Sequence, residues 1–160
     1  MAYLVNPIDY LVNRVYYFRM NVNMTPTGRL LLNAFRCFEN TVIEQLANAS
    51  ITDITASHLN VMRHLNPEGL RLTDLAKDAN LTKQATSAIV KELVELGYFE
   101  VRPDPQDGRA KIVHYTTKGQ QLRKTSIGVV IDIERHFRDL LGESSYLTLR
   151  SQLQTLCSGV

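Results

Sequence analysis

Between Leu72 and Gly119 the chain carries a succession of signals that few folds accommodate. Leu75, Ala76 and Ala79 have the spacing of a short helix, predicted over Asp74 to Asp78 with Thr73 as its cap. Asn80 follows, a residue that tolerates the left-handed backbone of a helix-ending turn. Thr82 can cap a second helix, because a threonine hydroxyl accepts an orphan amide at a helix start. That helix gathers Ala85, Ala88, Ile89, Leu93 and Leu96 on one side and leaves Lys83, Gln84, Thr86, Ser87 and Lys91 largely elsewhere. Gly97 stops it. Tyr98, Phe99 and Val101, then Ile112, Val113 and Tyr115, read as two strands. The stretch Pro103-Asp104-Pro105-Gln106-Asp107-Gly108-Arg109 between them can continue neither strand and reads as a turn-forming tip.

Two helices joined by a short turn and followed by a two-stranded ribbon make a winged helix-turn-helix. The polar face of the second helix, from Thr82 onward, suits a DNA major groove. Gln84, Thr86 and Ser87 are small or amide side chains that can reach base edges, and Lys83 and Lys91 can reach bases or phosphates. At the tip, Arg109 suits a narrow minor groove, where negative potential is enhanced. Asp107, two residues away, can hold its guanidinium by a paired hydrogen bond. Taken alone, such a pair is equally an ordinary solvated ion pair worth about 0–1 kcal/mol; the helix beside it favours the DNA reading. Arg102 and Lys111 are expected on phosphates. Arg71 and Thr73 stand at the start of the first helix, where a phosphate can meet backbone N–H groups.

Charge does not carry this reading by itself. The 160-residue chain has a formal net charge of only +2. From Thr82 to Lys118 the balance is near neutral, so the argument rests on placement: cations at the helix start and the tip, Glu92 and Glu95 in the later half of the helix. The same balance keeps open an alternative from another class, a winged helix that binds a protein and not DNA.

Long amphipathic helices flank this unit. Residues 1–28 are expected to form an N-terminal amphipathic extension: Asn6-Pro7 is a cap followed by proline, and Ile8, Leu11, Val12, Val15 and Phe18 make an apolar stripe. Thr25-Pro26 opens a helix to about Asn48, with the narrow seam Leu31, Phe35, Phe38, Val42 and Leu46. Thr55 can cap the next, carrying Leu59, Val61, Met62 and Leu65, before Pro67 and Gly69 break it. After the ribbon, Thr117 is expected to cap a helix from Lys118 to about Leu141, with close packing or a bend at Gly128. Ser144 or Ser145 is expected to cap the last helix. Residues 55–117 are thus the winged helix-turn-helix, and 29–54 with 118–160 the helical region. So small a unit does not need that much helical apolar surface for itself, which points to a dimer interface built from both ends of the chain. The fold class expected is mainly α with a small β-ribbon.

Cys37 and Cys157 lie in apolar helical patterns without metal spacing and are expected to be buried thiols of a reducing, cytoplasmic protein; a cysteine-based redox sensor is the alternative. His58, His64, His114 and His136 show no metal-ligand spacing, and no nucleophile-base, P-loop or dinucleotide signature is present. No cofactor, metal or catalytic residue is expected. No stretch is long and apolar enough to span a membrane, and the start lacks the basic region of a secretory signal.

Taken in order, Leu59-Asn60-Val61-Met62-Arg63-His64-Leu65, Leu72-Thr73-Asp74-Leu75-Ala76, Leu81-Thr82-Lys83-Gln84-Ala85-Thr86-Ser87 and Leu93-Val94-Glu95-Leu96-Gly97-Tyr98 resemble the MarR family of bacterial transcription regulators. Asp107-Gly108-Arg109-Ala110-Lys111 followed by Thr116-Thr117-Lys118-Gly119 is the most specific part. The resemblance covers about Leu30 to Leu156. It implies that Asp107 and Arg109 shape the wing, with Arg109 entering the minor groove. It also implies a homodimer through terminal helices on a pseudo-palindromic duplex, a repressor released by a small aromatic ligand. Family members with a redox cysteine carry it near the start of the first helix, and Cys37 lies further along.

Overall fold

A computed structural model of the chain describes residues 25–159; the expected N-terminal amphipathic helix lies outside them. Six helices and three strands are present among the described residues: α1 (Thr27–Asn48), α2 (Ala56–Met62), β1 (Leu70–Arg71), α3 (Leu72–Asp78), α4 (Lys83–Glu95), β2 (Phe99–Pro103), β3 (Lys111–Tyr115), α5 (Thr117–Leu141) and α6 (Glu143–Ser158). The expected class, mainly α with a small β-ribbon, is what forms. The ribbon has one strand more than expected. β1 pairs antiparallel with β3, which lies between it and β2. Two residues of pairing leave no run for a sequence pattern to register.

The chain divides into two compact units with the boundary between Arg36 and Cys37, inside α1. On the first side of it, Leu30, Leu31, Leu32 and Phe35 are exposed. On the second, the seam read from the sequence turns inward: Val42 and Leu46 are buried, and Phe38 packs against the core.

The core of the second unit is where α2, α3 and α4 meet the sheet. Val61, Leu75, Leu93 and Val113 are fully buried, one from each of these elements. Phe99 and Tyr115 meet edge to face at 5.1 Å, and the Tyr115 hydroxyl donates to the Met62 carbonyl at 2.6 Å, tying β3 to the end of α2. Such a buried aromatic pair adds about 0.5–1.5 kcal/mol beyond its area. Burial pushes the Tyr115 phenol up to about 12.

The turns hold α4 against the strands. Asn80 has a φ of 52° and Gly97 a φ of 77°, so both helix-ending turns take the left-handed backbone their residue types tolerate. Thr82 accepts from the Ala85 amide at 3.1 Å and caps α4. Thr55 and His58 close a reciprocal capping box on α2. At the far end of the ribbon, Thr116 and not Thr117 caps α5: its hydroxyl accepts from the Gly119 amide at 3.0 Å and donates to the Gly97 carbonyl at 2.6 Å. Thr117 is the first helical residue. Gly119 has no room for a side chain, since a Cβ would sit 2.0 Å from the Tyr98 carbonyl oxygen; α5 starts by lying directly on the backbone that leads into β2.

Several other local expectations are corrected. Thr73 does not cap α3, which already begins at Leu72, with Arg71 in the cap position and no side-chain hydrogen bond there. Strand β1 runs straight into the helix, so the turn is set by pairing with β3. Neither Ser144 nor Ser145 caps α6, which starts at Glu143 directly after Gly142. A Cβ on Gly128 would meet nothing within 4 Å, so no close packing occurs there among the described residues. Cys37 and Cys157 are both exposed thiols, not the buried ones expected, since the helix faces that carry them are not covered among the described residues.

Candidate nucleic-acid interface

The second helix of the pair, α4, carries an apolar inner face and a polar outer one because its apolar residues recur at helical spacing. Val90 and Leu93 are buried, while Lys83, Gln84, Ser87 and Lys91 are exposed. Thr86 does not belong to that outer face: it is 0% exposed, and its hydroxyl donates to the Thr82 carbonyl at 3.0 Å. Its position one turn after Thr82 points it into the core, and the hydroxyl is satisfied one turn back along its own helix.

Facing the start of α4 is the wing, residues 104–110, joined to the ribbon where Pro103 pairs with Lys111. Its backbone is closed by the Asp104 amide on the Ala110 carbonyl at 3.0 Å and the Ala110 amide on the Asp107 carbonyl at 2.8 Å. Asp107 acts differently from expectation. Its carboxylate accepts the Arg109 backbone amide at 3.1 Å and does not pair with the Arg109 guanidinium. Two residues apart in a tight tip, the amide is the nearer donor, which is the geometry of an Asx-turn. Arg109 is exposed, and its guanidinium meets no carboxylate among the described residues.

A cavity of about 500 Å³ lies between α3, α4 and the wing. Seven of the residues singled out from the sequence line it: Arg71 and Thr73 from β1 and the start of α3, Lys83 and Ser87 from α4, and Asp107, Arg109 and Lys111 from the wing and β3. A second cavity of about 540 Å³ is lined by Gln84, Ser87 and Lys91 with Lys111, Val94 and Val101. Arg102 lines neither; it is exposed on β2 and paired with Glu100 at 2.5 Å. Thr82 is exposed at the cap of α4.

Two features of this region have no counterpart in the sequence reading. Asp104 is only 5% exposed and takes Arg71 as its partner, Nε at 2.7 Å and a terminal guanidinium nitrogen at 2.5 Å, while its other oxygen accepts the Gln106 amide at 2.8 Å. The Gln106 amide, and after it Arg71, hold the Asp104 carboxyl below the usual carboxylate range. An aspartate between two prolines in a turn was the available signal. The other feature is His58, buried on α2, whose Nε2 lies 3.0 Å from a Glu92 oxygen on α4. Its Nδ1 accepts the Thr55 amide, which leaves Nε2 as the donor. Nothing in the spacing of His58 and Glu92 marked that contact. Among the described residues no group of His, Cys, Asp and Glu side chains is arranged to hold a metal ion.

Helix-turn-helix and wing around one cationic cavity define a winged-helix protein. The sequence model of the MarR family matches residues 52–110, the part from the approach to α2 through the wing. Solved structures agree over more of the chain. The apo form of wild-type MarR from E. coli is 23% identical, with a TM-score of 0.70 over 84% of this chain and 98% of that one. The reduced form of the same protein gives 0.72 over 84% and 98%, again at 23% identity. NadR in complex with 4-hydroxyphenylacetate gives 0.64 over 85% and 95%, at 20% identity. No curated protein matches the chain in sequence. The family model thus covers the winged-helix part of the chain, and the solved structures share its fold.

Proposed function

We propose that the chain is a homodimeric, sequence-specific DNA-binding repressor of the cytoplasm. The observation that carries this is the cavity between α4 and the wing, where Lys83, Ser87, Arg109 and Lys111 converge on one open, cationic surface. In this reading the exposed edge of α4 enters a major groove with Lys83, Gln84, Ser87 and Lys91, and Arg109 reaches the adjacent minor groove. Arg102, Lys111 and Thr73 stand by the phosphates, and Asp107 shapes the tip through the Arg109 amide. Thr82 contributes as the cap of α4. Two such units on a dimer meet successive major grooves about 34–36 Å apart on a pseudo-palindrome. The partner is a second copy, docked through the face of α5 and α6 that leaves Ile127, Ile131, Leu140 and Leu156 exposed.

Selection of bound sequences from a random duplex pool tests this reading at once. A palindromic consensus is the expected result, and recovery of no sequence above background sinks it. Arg109→Ala should weaken binding to the selected duplex by more than about tenfold while sedimentation shows an unchanged dimer.

The reading extends to release by a small aromatic acid, as the complex of NadR with 4-hydroxyphenylacetate suggests by analogy. A cavity of about 340 Å³ supports it, lined by Leu59, Met62, Pro67, Tyr115, Arg123 and Ile127 among others, between the end of α2 and α5. Its apolar side chains, with Arg63 and Arg123 beside them, suit a ring bearing a carboxylate. A binding acid at about 100 times its Kd raises stability by about 2.7 kcal/mol. A thermal-shift screen of phenolic acids should therefore show a rise that Arg123→Met abolishes; no rise at millimolar ligand removes this part of the reading.

A further inference from the structure

Arg71 and Asp104 lie 33 residues apart, yet the pair joins the two halves of the DNA-facing surface. Arg71 ends β1 and occupies the cap position of α3, the first helix of the helix-turn-helix. Asp104 opens the wing just beyond β2. Every acceptor the carboxylate offers inward is used: one oxygen takes the Arg71 fork and the other takes the Gln106 amide that shapes the wing's turn. The aspartate's own amide closes the wing onto Ala110. One side chain thus fixes the wing's internal turn and, in the same stroke, its attachment to the helix-turn-helix. Two guanidinium nitrogens of Arg71 converge on one carboxylate oxygen while the Gln106 amide holds the other, so the carboxylate is fixed from both sides.

We infer that Asp104 is a positioning residue for DNA binding: through Arg71 it latches the wing to the start of α3, so that Arg109 and α4 meet the duplex at a fixed separation. This inference rests on the DNA-binding reading above. It reassigns Arg71, whose guanidinium is committed to the carboxylate, from a phosphate contact to the anchor of the latch. Among the described residues the wing's other hydrogen bonds are within itself and its ribbon, and a hairpin end held only by its own ribbon can tilt. A minor-groove arginine on a tilting hairpin pays ordering entropy at each encounter, whereas one already held in register does not.

The sign of one substitution separates this from a plain charge effect. Asp104→Asn removes a negative charge from a surface facing phosphates and releases Arg71. Counter-ion logic alone predicts tighter binding and a steeper salt dependence, by about one phosphate contact. The latch predicts the reverse. Asparagine keeps an oxygen for the Gln106 amide, so the turn itself survives and only the tether is lost.

The test uses the full-length chain and the duplex recovered in the selection, with binding measured across a salt series and amide hydrogen exchange measured on the unbound protein. The latch predicts that Asp104→Asn weakens binding at least about fivefold with a shallower salt slope, as loss of a preorganised contact does. It also predicts faster exchange in residues 104–110, with α5 still protected. Arg71→Lys, which keeps the charge and loses the fork, should show the same pattern in smaller measure, and it serves alone if the asparagine variant does not fold. A double variant Asp104→Asn with Arg71→Gln should bind no worse than the single one. Equal or tighter binding by Asp104→Asn, or unchanged wing exchange, overturns the inference. A wild-type chain that selects no duplex overturns the DNA-binding reading and this inference with it, a result told apart from the former because there the wild type binds normally.

Discussion

The winged-helix unit and the two C-terminal helices treat their apolar side chains in opposite ways. Around the sheet, Leu75, Leu93 and Val113 are 0% exposed. On α5 and α6, Ile131 is 53% and Leu140 71% exposed, although both helices are amphipathic by the same spacing rule. The buried set of α5 and α6 is confined to Gly119, Leu122, Ile133 and Tyr146. Tyr146 is held by polar contacts as much as apolar ones, with its hydroxyl on Glu134 and Arg150 close to the same carboxylate at 3.0 Å. A shared pattern of residues has therefore two outcomes. One face finds its cover inside the chain, and the other keeps an apolar stripe that water does not favour. The lesson is that amphipathicity specifies a covered face and is silent on whose residues cover it.

The sharpest way to break this contrast is Phe99→Ala. Phe99 is 2% exposed and meets Tyr115 edge to face, so its truncation should lower unfolding free energy by about 3–5 kcal/mol. Chemical denaturation would measure the loss, and a change under about 1 kcal/mol would mean the core lies elsewhere. Next in size is Ile131→Glu. If the stripe on α5 is a subunit interface, a charge there should cost dimer affinity by about 2 kcal/mol or more, since a buried unpaired charge is heavily penalised. Sedimentation at micromolar concentration reads the result; an unshifted monomer–dimer balance would assign the stripe to solvent. The smallest effect concerns the tyrosines of the core. Burial raises the Tyr115 phenol to about 12, and burial with the Asp53 contact raises Tyr98 to about 12. A raised phenol contributes stability that is whole below its ordinary value near 10 and is lost as pH climbs toward 12. The chain should therefore lose stability across that alkaline interval, and Tyr115→Phe should flatten the loss at a cost of about 1 kcal/mol at neutral pH, from the missing bond to Met62.

Local chemistry made most of the winged unit legible. Thr82, Asn80, Gly97 and Pro105 each act through their own backbone, within four residues, and each appears where the sequence places it; Pro103, read as part of the tip, instead ends β2 opposite Lys111. So does the polar edge of α4, because a helix of known start presents its faces by geometry alone. What failed to show was whatever depends on a partner distant in the chain. Thr86 follows the polar pattern yet faces the core, because its small hydroxyl is satisfied by its own helix. Asp107 takes the backbone amide of Arg109 where charge complementarity predicts the guanidinium, because the tip geometry brings the amide closer. The Asp104 pair with Arg71 and the His58 contact with Glu92 join residues 33 and 34 positions apart; no periodicity carries such information. The same holds for β1, whose two residues are a strand only because β3 passes beside them.

Composition and spacing determined by themselves that a helix-turn-helix, a ribbon and long flanking helices would form, because caps, turns and apolar periods are encoded over a few residues and act before any tertiary contact exists. Only the folded chain decided which polar residues stay on the surface and which carboxylate holds which arginine. Those choices depend on distances across the fold, and hydrogen bonds and ion pairs are too short-ranged and too directional to be read from a one-dimensional pattern.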